Sequence, residues 1–220
     1  NLYELYGDSA MILPSPNLSW EEGSQWDFGL HWQGNWNRVE TRVGLTYFRS
    51  EMDDLIEFVM INPRYGQYRN ISRAEIDGVE LETRFIRAPW DLTLSYTWMK
   101  ALNRTPESFR NDMRLPNRPE NAAHARLAYD YSERLTLYGE VDYTGDNFLD
   151  QRETIRYSDL TVVNAGLRWD LDDDKVLTVG VDDVFDKSKE MTLVPTSGAE
   201  GLAWYPLQGR AWHVSLLWKF

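Results

Sequence analysis

Arginine and aromatic residues recur together in the stretches of this chain best suited to chemistry. Arg64, Tyr65, Tyr68 and Arg69 form one group, with Arg73 close by. Arg104, Arg110, Arg114 and Arg118 surround Phe109. Phe148, Arg152, Arg156 and Tyr157 form a third group, and Trp204 with Tyr205 a fourth. A guanidinium offers a fixed fork of donors and stacks on flat rings, so the combination suits capture of an anionic chelate. A plainer reading is that these segments interlock through ion pairs, because Glu107, Asp112, Asp150 and Glu153 are interleaved among the arginines. Hydrolytic catalysis would require a nucleophile held against a base. His31, His124 and His213 are instead spread along the chain, on three well-separated strands, so no catalytic residue and no enzyme activity are expected. No His-x-His or Cys-x-x-Cys spacing occurs, and Asp172-Asp173-Asp174 reads as a solvated turn. No metal site and no cofactor are expected.

The elements that carry these residues are read from alternation, which puts every second side chain of a strand on one face. In the last segment Trp212, Val214, Leu216, Trp218 and Phe220 alternate with Ala211, His213, Ser215, Leu217 and Lys219. Leu92, Leu94, Tyr96 and Trp98 likewise oppose Thr93, Ser95 and Thr97, and Val79, Leu81 and Phe85 oppose Glu80, Glu82 and Arg84. The pattern predicts nine strands, at about 24–33, 38–50, 75–87, 91–101, 122–132, 135–145, 160–171, 175–185 and 210–220. Short polar turns (33–37, 88–90, 132–134, 172–175) take turns with long segments (50–74, 102–121, 145–159, 186–209). That rule is the sequence form of a membrane barrel with periplasmic turns at one rim and extracellular loops at the other.

The fold class expected is therefore all-β, a transmembrane antiparallel β-barrel. The polar faces carry ionised groups such as Glu80, Glu82, Arg84, Arg126 and Asp130. A small closed core could not bury these unpaired, whereas a wet lumen accepts them. Nine is an odd number, and an open sheet in hydrocarbon leaves edge amides and carbonyls without partners. The reading is of a chain truncated at its N-terminal side, with residues 1–19 an extracellular loop or incomplete edge and 20–220 the C-terminal half of the barrel.

Composition narrows the partners. Ten Trp and twelve Tyr suit a boundary between lipid and water, and there is no Cys. Mean hydropathy is −0.54, and no apolar run approaches the roughly 20 residues of a membrane helix. A net charge of −12 argues against nucleic acid as a partner.

Several segments resemble the C-terminal barrel of TonB-dependent outer-membrane receptors. Tyr47-Phe48 with Asp53-Asp54-Leu55-Ile56 resembles that family's Tyr-Phe…Asp-Leu-Ile strand exit. Tyr68-Arg69-Asn70 followed by Ala74 and Gly78-Val79-Glu80 is similar to its Tyr-x-Asn…Ala…Gly-Val-Glu stretch. Leu115-Pro116-Asn117-Arg118-Pro119 resembles Leu-Pro-x-Arg-Pro. Val181-Asp182-Asp183-Val184-Phe185-Asp186-Lys187 resembles Val-x-Asn-Leu-Phe-Asp-Lys, with Asp183 in place of Asn. Tyr205-Pro206-Leu207-Gln208-Gly209-Arg210 is similar to the Tyr-x-x-Pro-Gly-Arg that leads into the final strand, with Gln208 in place of Pro.

The resemblance implies a 22-stranded barrel in the bacterial outer membrane, with an N-terminal plug domain absent here. It implies TonB-energised uptake of a scarce nutrient, foremost a ferric siderophore. Its implied partners are outer-membrane lipid and lipopolysaccharide, the TonB complex through the plug, and the barrel-assembly machinery through the aromatic-ended last strand. Under it, Arg64, Tyr65, Tyr68, Arg69, Arg104, Arg110, Arg114, Phe148, Arg152, Trp204 and Tyr205 are the candidate ligand-binding residues. The alternatives are a passive porin or small barrel enzyme, and a soluble Trp-rich sugar-binding sandwich.

Overall fold

The computed structural model describes residues 2–8, 11–61, 64–105, 109–187, 193–195, 202–204 and 208–219. A short helix α1 (Leu2–Tyr6) and strand β1 (Ile12–Leu13) precede the long strands β2 (Glu22–Trp36), β3 (Val39–Met60), β4 (Gly66–Arg87) and β5 (Trp90–Asn103). Next come β6 (Asn121–Ser132), β7 (Leu135–Thr144), the short β8 (Asn147–Phe148) and β9 (Arg156–Tyr157), β10 (Leu160–Asp170) and β11 (Lys175–Asp182). Strands β12 (Leu193–Pro195) and β13 (Leu202–Trp204) pair with each other, and β14 (Ala211–Trp218) follows.

Nine of these strands form one antiparallel sheet in the order β14-β11-β10-β7-β6-β5-β4-β3-β2, so long-strand neighbours in sequence are neighbours in space. All nine expected strands are present, and the sheet does not close: β2 and β14 each present an outer edge. The first turn is shorter than the expected 33–37, because β2 stays paired as far as Trp36. Asn37 and Arg38, both at positive φ, make the two-residue β2–β3 hairpin turn, a conformation that fits strand twist.

Register fixes the faces. Phe28 lies opposite Tyr47, Tyr47 opposite Val79, and Val79 opposite Trp98, in one row of apolar side chains. A second row runs Leu127, Gly139, Ala165, Val181, Trp212. The apolar face is bounded below by Trp90, which packs on Tyr129 at 4.4 Å between ring centroids, and above by Trp26 against Tyr47 at 5.4 Å. Trp26, Phe28, Leu30 and Trp32 on β2 remain more than half exposed, as a surface meant for lipid requires.

The opposite face is polar and laced with ion pairs, including Arg84 with Asp91 and Arg126 with Glu140. Two glycines there make room for aromatics. Tyr138 lies opposite Gly166, which lies opposite Gly180, which lies opposite His213. A Cβ at Gly166 would run into the Tyr138 ring, and one at Gly180 into the His213 imidazole.

One expectation is corrected. Residues 50–74 are not a long loop: β3 continues to Met60 and β4 begins at Gly66, paired through Val59–Gln67 and Phe58–Tyr68. Above Tyr47 the face that was apolar turns charged (Arg49, Glu51, Asp53) while the other carries Phe48, Ser50 and Met52, so the apolar alternation that marked the strand vanishes while the backbone ladder goes on. Tyr68 and Arg69 are accordingly strand residues.

Candidate functional site

The segment after β5 stays in the wall. Asn103 donates its N–H to Met113 O at 2.8 Å, Leu115 N–H donates to Ala101 O at 2.9 Å, and Met99 N–H to Glu120 O at 2.8 Å, so residues 112–120 climb beside β5. Leu115 packs on Ala74 and Ala101 with Met52, Leu55 and Ile76 around them, the one buried apolar cluster among the described residues. Residues 145–149 run beside that segment in turn, with Asn117 N–H on Phe148 O at 2.8 Å and Gly145 N–H on Asn121 O at 2.7 Å.

This juxtaposition merges two of the sequence groups. Arg114 stacks over Phe148 at 5.3 Å, while its backbone N–H donates to Glu153 Oε1 at 2.6 Å. Phe109 carries two guanidinium groups, Arg110 at 5.6 Å and Arg152 at 5.5 Å. A ring holding two cations offers its attraction to both and concentrates positive charge beside an apolar surface. Arg110, Arg114, Phe148 and Arg152 are thus brought into one site.

Asp150, which the sequence reading noted only as a counter-charge, organises that site. Its carboxylate accepts N–H groups from Arg152, Thr154 and Ile155, and the Thr154 hydroxyl at 2.8 Å. Partial burial pushes its pKa up, but these donors outweigh burial and hold it below the usual carboxylate range. The signal in sequence was an Asp followed by Arg, Thr and Ile at two, four and five residues, a pattern of local turn capping.

Other candidates fare differently. Arg104 is committed to Glu75 at 3.2 Å and to Asp112, in a network that also joins Arg49, Glu51 and Arg73. Register puts Arg49 beside Trp26, so the network rises from the apolar face just above its aromatic rim. Glu51 there is held below its usual pKa by hydrogen bonds from Arg49 first and Arg73 second. Arg156 pairs with Asp146 at 3.0 Å.

The first sequence group lies apart, along the β3–β4 hairpin. Arg64 stacks on Tyr65 at 5.4 Å near its end, and Tyr68 packs between Phe58 and Tyr3 at 5.3 and 6.3 Å. Arg69 Nε donates to Gln67 Oε1 at 3.2 Å. Residues 11–19 fold back on this hairpin: β1 pairs in parallel with β4, and Ser15 Oγ donates to Tyr68 O at 2.7 Å. A cleft of about 370 Å³ results, lined by Ser15, Pro16, Tyr68, Arg69 and Asn70 among others. Tyr3 and Phe58 were missed because their contact with Tyr68 depends on the long-range register. The backbone of Trp204 lies in β13, while its side chain and Tyr205 lie outside the described residues.

A family description, TonB dependent receptor-like, beta-barrel, matches residues 1–184. This chain belongs to the TonB-dependent receptor family. Members of that family are outer-membrane receptors and transporters. The chain is 23% identical over 201 residues to the probable TonB-dependent siderophore receptor PiuA of Acinetobacter baumannii, covering 85% of this chain and 25% of that protein. It spans about a quarter of that relative. Among solved structures it resembles the copper transporter OprC, with a TM-score of 0.76 at 18% identity over 100% of this chain and 35% of OprC. It also resembles the ferric enterobactin receptor PfeA of Pseudomonas aeruginosa, with a TM-score of 0.70 at 19% identity over 95% of this chain and 32% of that one. With the family in hand, the polar face is the lumen wall of a receptor barrel and the apolar face its lipid surface.

Proposed function

We propose that the protein to which this chain belongs takes up a ferric siderophore through the outer membrane, energised by TonB. Residues 20–220 supply the C-terminal wall of its barrel, and residues 1–19 an extracellular segment. The observation that carries this reading is the Arg110–Phe109–Arg152 stack. A siderophore–iron complex is anionic and often aromatic, and it matches paired guanidinium groups on a ring. The guanidinium groups of Arg152 and Arg69 have no carboxylate partner among the described residues, so their charge is available to a ligand. Arg104 and Arg114 are partly spent on Glu75, Asp112 and Glu120.

The other partners follow the faces of the sheet. The apolar band meets lipid, and the charged network above its rim meets lipopolysaccharide. The last strand addresses the barrel-assembly machinery. The lumen wall carries Glu80 and Glu82 with no ion pair among the described residues, a surface suited to a plug domain that presents cations. That plug would provide the link to TonB.

The test is binding and uptake of a radiolabelled ferric tricatecholate by cells carrying the full receptor. Arg152→Ala should weaken binding about tenfold, since a partly desolvated cation–π and ionic contact contributes on the order of 1–2 kcal/mol. Unchanged binding in the Arg152→Ala, Phe109→Ala and Arg69→Ala variants would sink the assignment of the site. Uptake that persists in cells lacking TonB would sink the mechanism and favour a passive pore.

A further inference from the structure

A hydrogen-bonded chain of side chains runs across β6, β7 and β10 on the lumen face and ends just past β11. His124 Nδ1, on β6, meets Asp142 Oδ1 on β7 at 2.7 Å. The other oxygen of that carboxylate accepts Asn164 Nδ2, on β10, at 3.2 Å. Asn164 Oδ1 then accepts the backbone N–H of Asp183 at 2.9 Å, just past the end of β11. Asp183, only 2% exposed and at positive φ, accepts the N–H of Lys187 on Oδ1 at 2.9 Å. Asp186 accepts the N–H of Arg210 on Oδ1 at 3.0 Å, immediately before β14.

Chemistry fixes the direction of each link. A carboxylate can only accept and a backbone N–H can only donate, so the Asn164 amide has one orientation that serves both neighbours. Asp142 as acceptor places a proton on His124 Nδ1, which leaves Nε2 facing the lumen without a partner among the described residues. The neighbouring cation is not a competitor, because Arg126 Nε is spent on Glu140 at 2.8 Å. Asp142 therefore relies on His124 and Asn164 alone for its position among the described residues.

We propose that His124, Asp142, Asn164 and Asp183 form a relay through which a contact at the lumen wall sets the base of the segment joining β11 to β14. A hydrogen-bond donor reaching His124 Nε2 from the lumen orients the imidazole. The imidazole orients the carboxylate, and the carboxylate holds the amide that caps Asp183. Lys187 is tied to Asp183 directly, and Arg210 is tied to it through Asp186, whose own N–H donates to Asp183 O at 2.9 Å. The relay stands whatever occupies the lumen, and so goes beyond the transport reading.

Hydrogen exchange of the Asp183 and Lys187 amides in the full receptor, in detergent, tests it. Asn164→Leu should raise exchange there about tenfold by removing one hydrogen bond to each neighbour. His124→Ala should raise it several-fold, and the double variant should match Asn164→Leu alone. Asn164→Asp keeps the acceptor for Asp183 but sets two carboxylates face to face. In that background Asp183 should stay protected and His124→Ala should have no further effect. The proposal is overturned if His124→Ala leaves these amides unchanged in the native background, or if the two substitutions multiply. Should Asn164→Leu fail to fold, the Asn164→Asp pair decides the matter by itself.

Discussion

At the scale of single residues, the site depends on which cations are already neutralised. Arg104 and Arg152 look alike in sequence, each an arginine in a polar segment. In the structure Arg104 serves an ion network with Glu75, Asp112, Arg49, Glu51 and Arg73, while the Arg152 guanidinium covers Phe109. Arg104→Ala should therefore leave ligand affinity within about twofold while loosening the hairpin, because exposed ion pairs contribute roughly 0–1 kcal/mol each. Titration calorimetry on that variant beside Arg152→Ala separates the two roles. Asp150 gives a pH dependence of definite sign. Its pKa is depressed in the fold, so the stabilisation is present above the unfolded value of about 3.9 and is lost as pH falls through the lower, folded value. Cleavage at Arg152 by an acid-tolerant protease should thus accelerate only below about pH 4, and Asp150→Ala should show the fast rate at pH 7. A rate independent of pH in the native protein would contradict this.

At the scale of elements, alternation was legible only where the two faces of a strand meet different solvents. Between Val39 and Tyr47 one side meets lipid and the other a wet lumen, and the period of two stands out. Beyond Arg49 one side carries charged residues and the other is covered by the segment around Leu115, so residue type no longer alternates and a paired strand over 50–74 looks like a loop. The types of the binding residues were legible too, but their partners were not. Glu75 and Arg104 lie 29 residues apart and meet only because β4 and β5 pair in one register. The row Tyr138–Gly166–Gly180–His213 was equally invisible, since no local signal says that a glycine lies under a ring from the next strand. Gly166→Val should lower stability by about 1–3 kcal/mol through overpacking, and Tyr138→Ala in the same protein should recover part of it. Thermal unfolding of the two variants in detergent is the measurement.

At the scale of the whole molecule, the unpaired edges of β2 and β14 decide what this chain can do by itself. Each exposes a row of backbone groups along 15 and 8 residues respectively, and every such group left unpaired in hydrocarbon costs several kcal/mol. The 220-residue chain should neither insert stably into lipid vesicles nor pass solute. Heat-modifiable gel migration of the refolded chain would refute that.

The β3–β4 hairpin behaves, in engineering terms, as a cantilever. Its final stretch, beyond the last contacts of β2 and β5, is a two-stranded ladder braced by β1 at Gly66 and Gln67, by Ser15 and Tyr3 at Tyr68, and by Ser19 at Asn70. From Tyr47 to Met60 it reaches roughly 40 Å past the aromatic rim. A sideways load at its tip becomes a torque about the fulcrum formed by Ala74, Ala101 and Leu115, which lies beside the segment carrying Phe109 and Arg114. An antibody fragment or a surface polymer that grips the tip therefore has leverage over the ligand site without touching it.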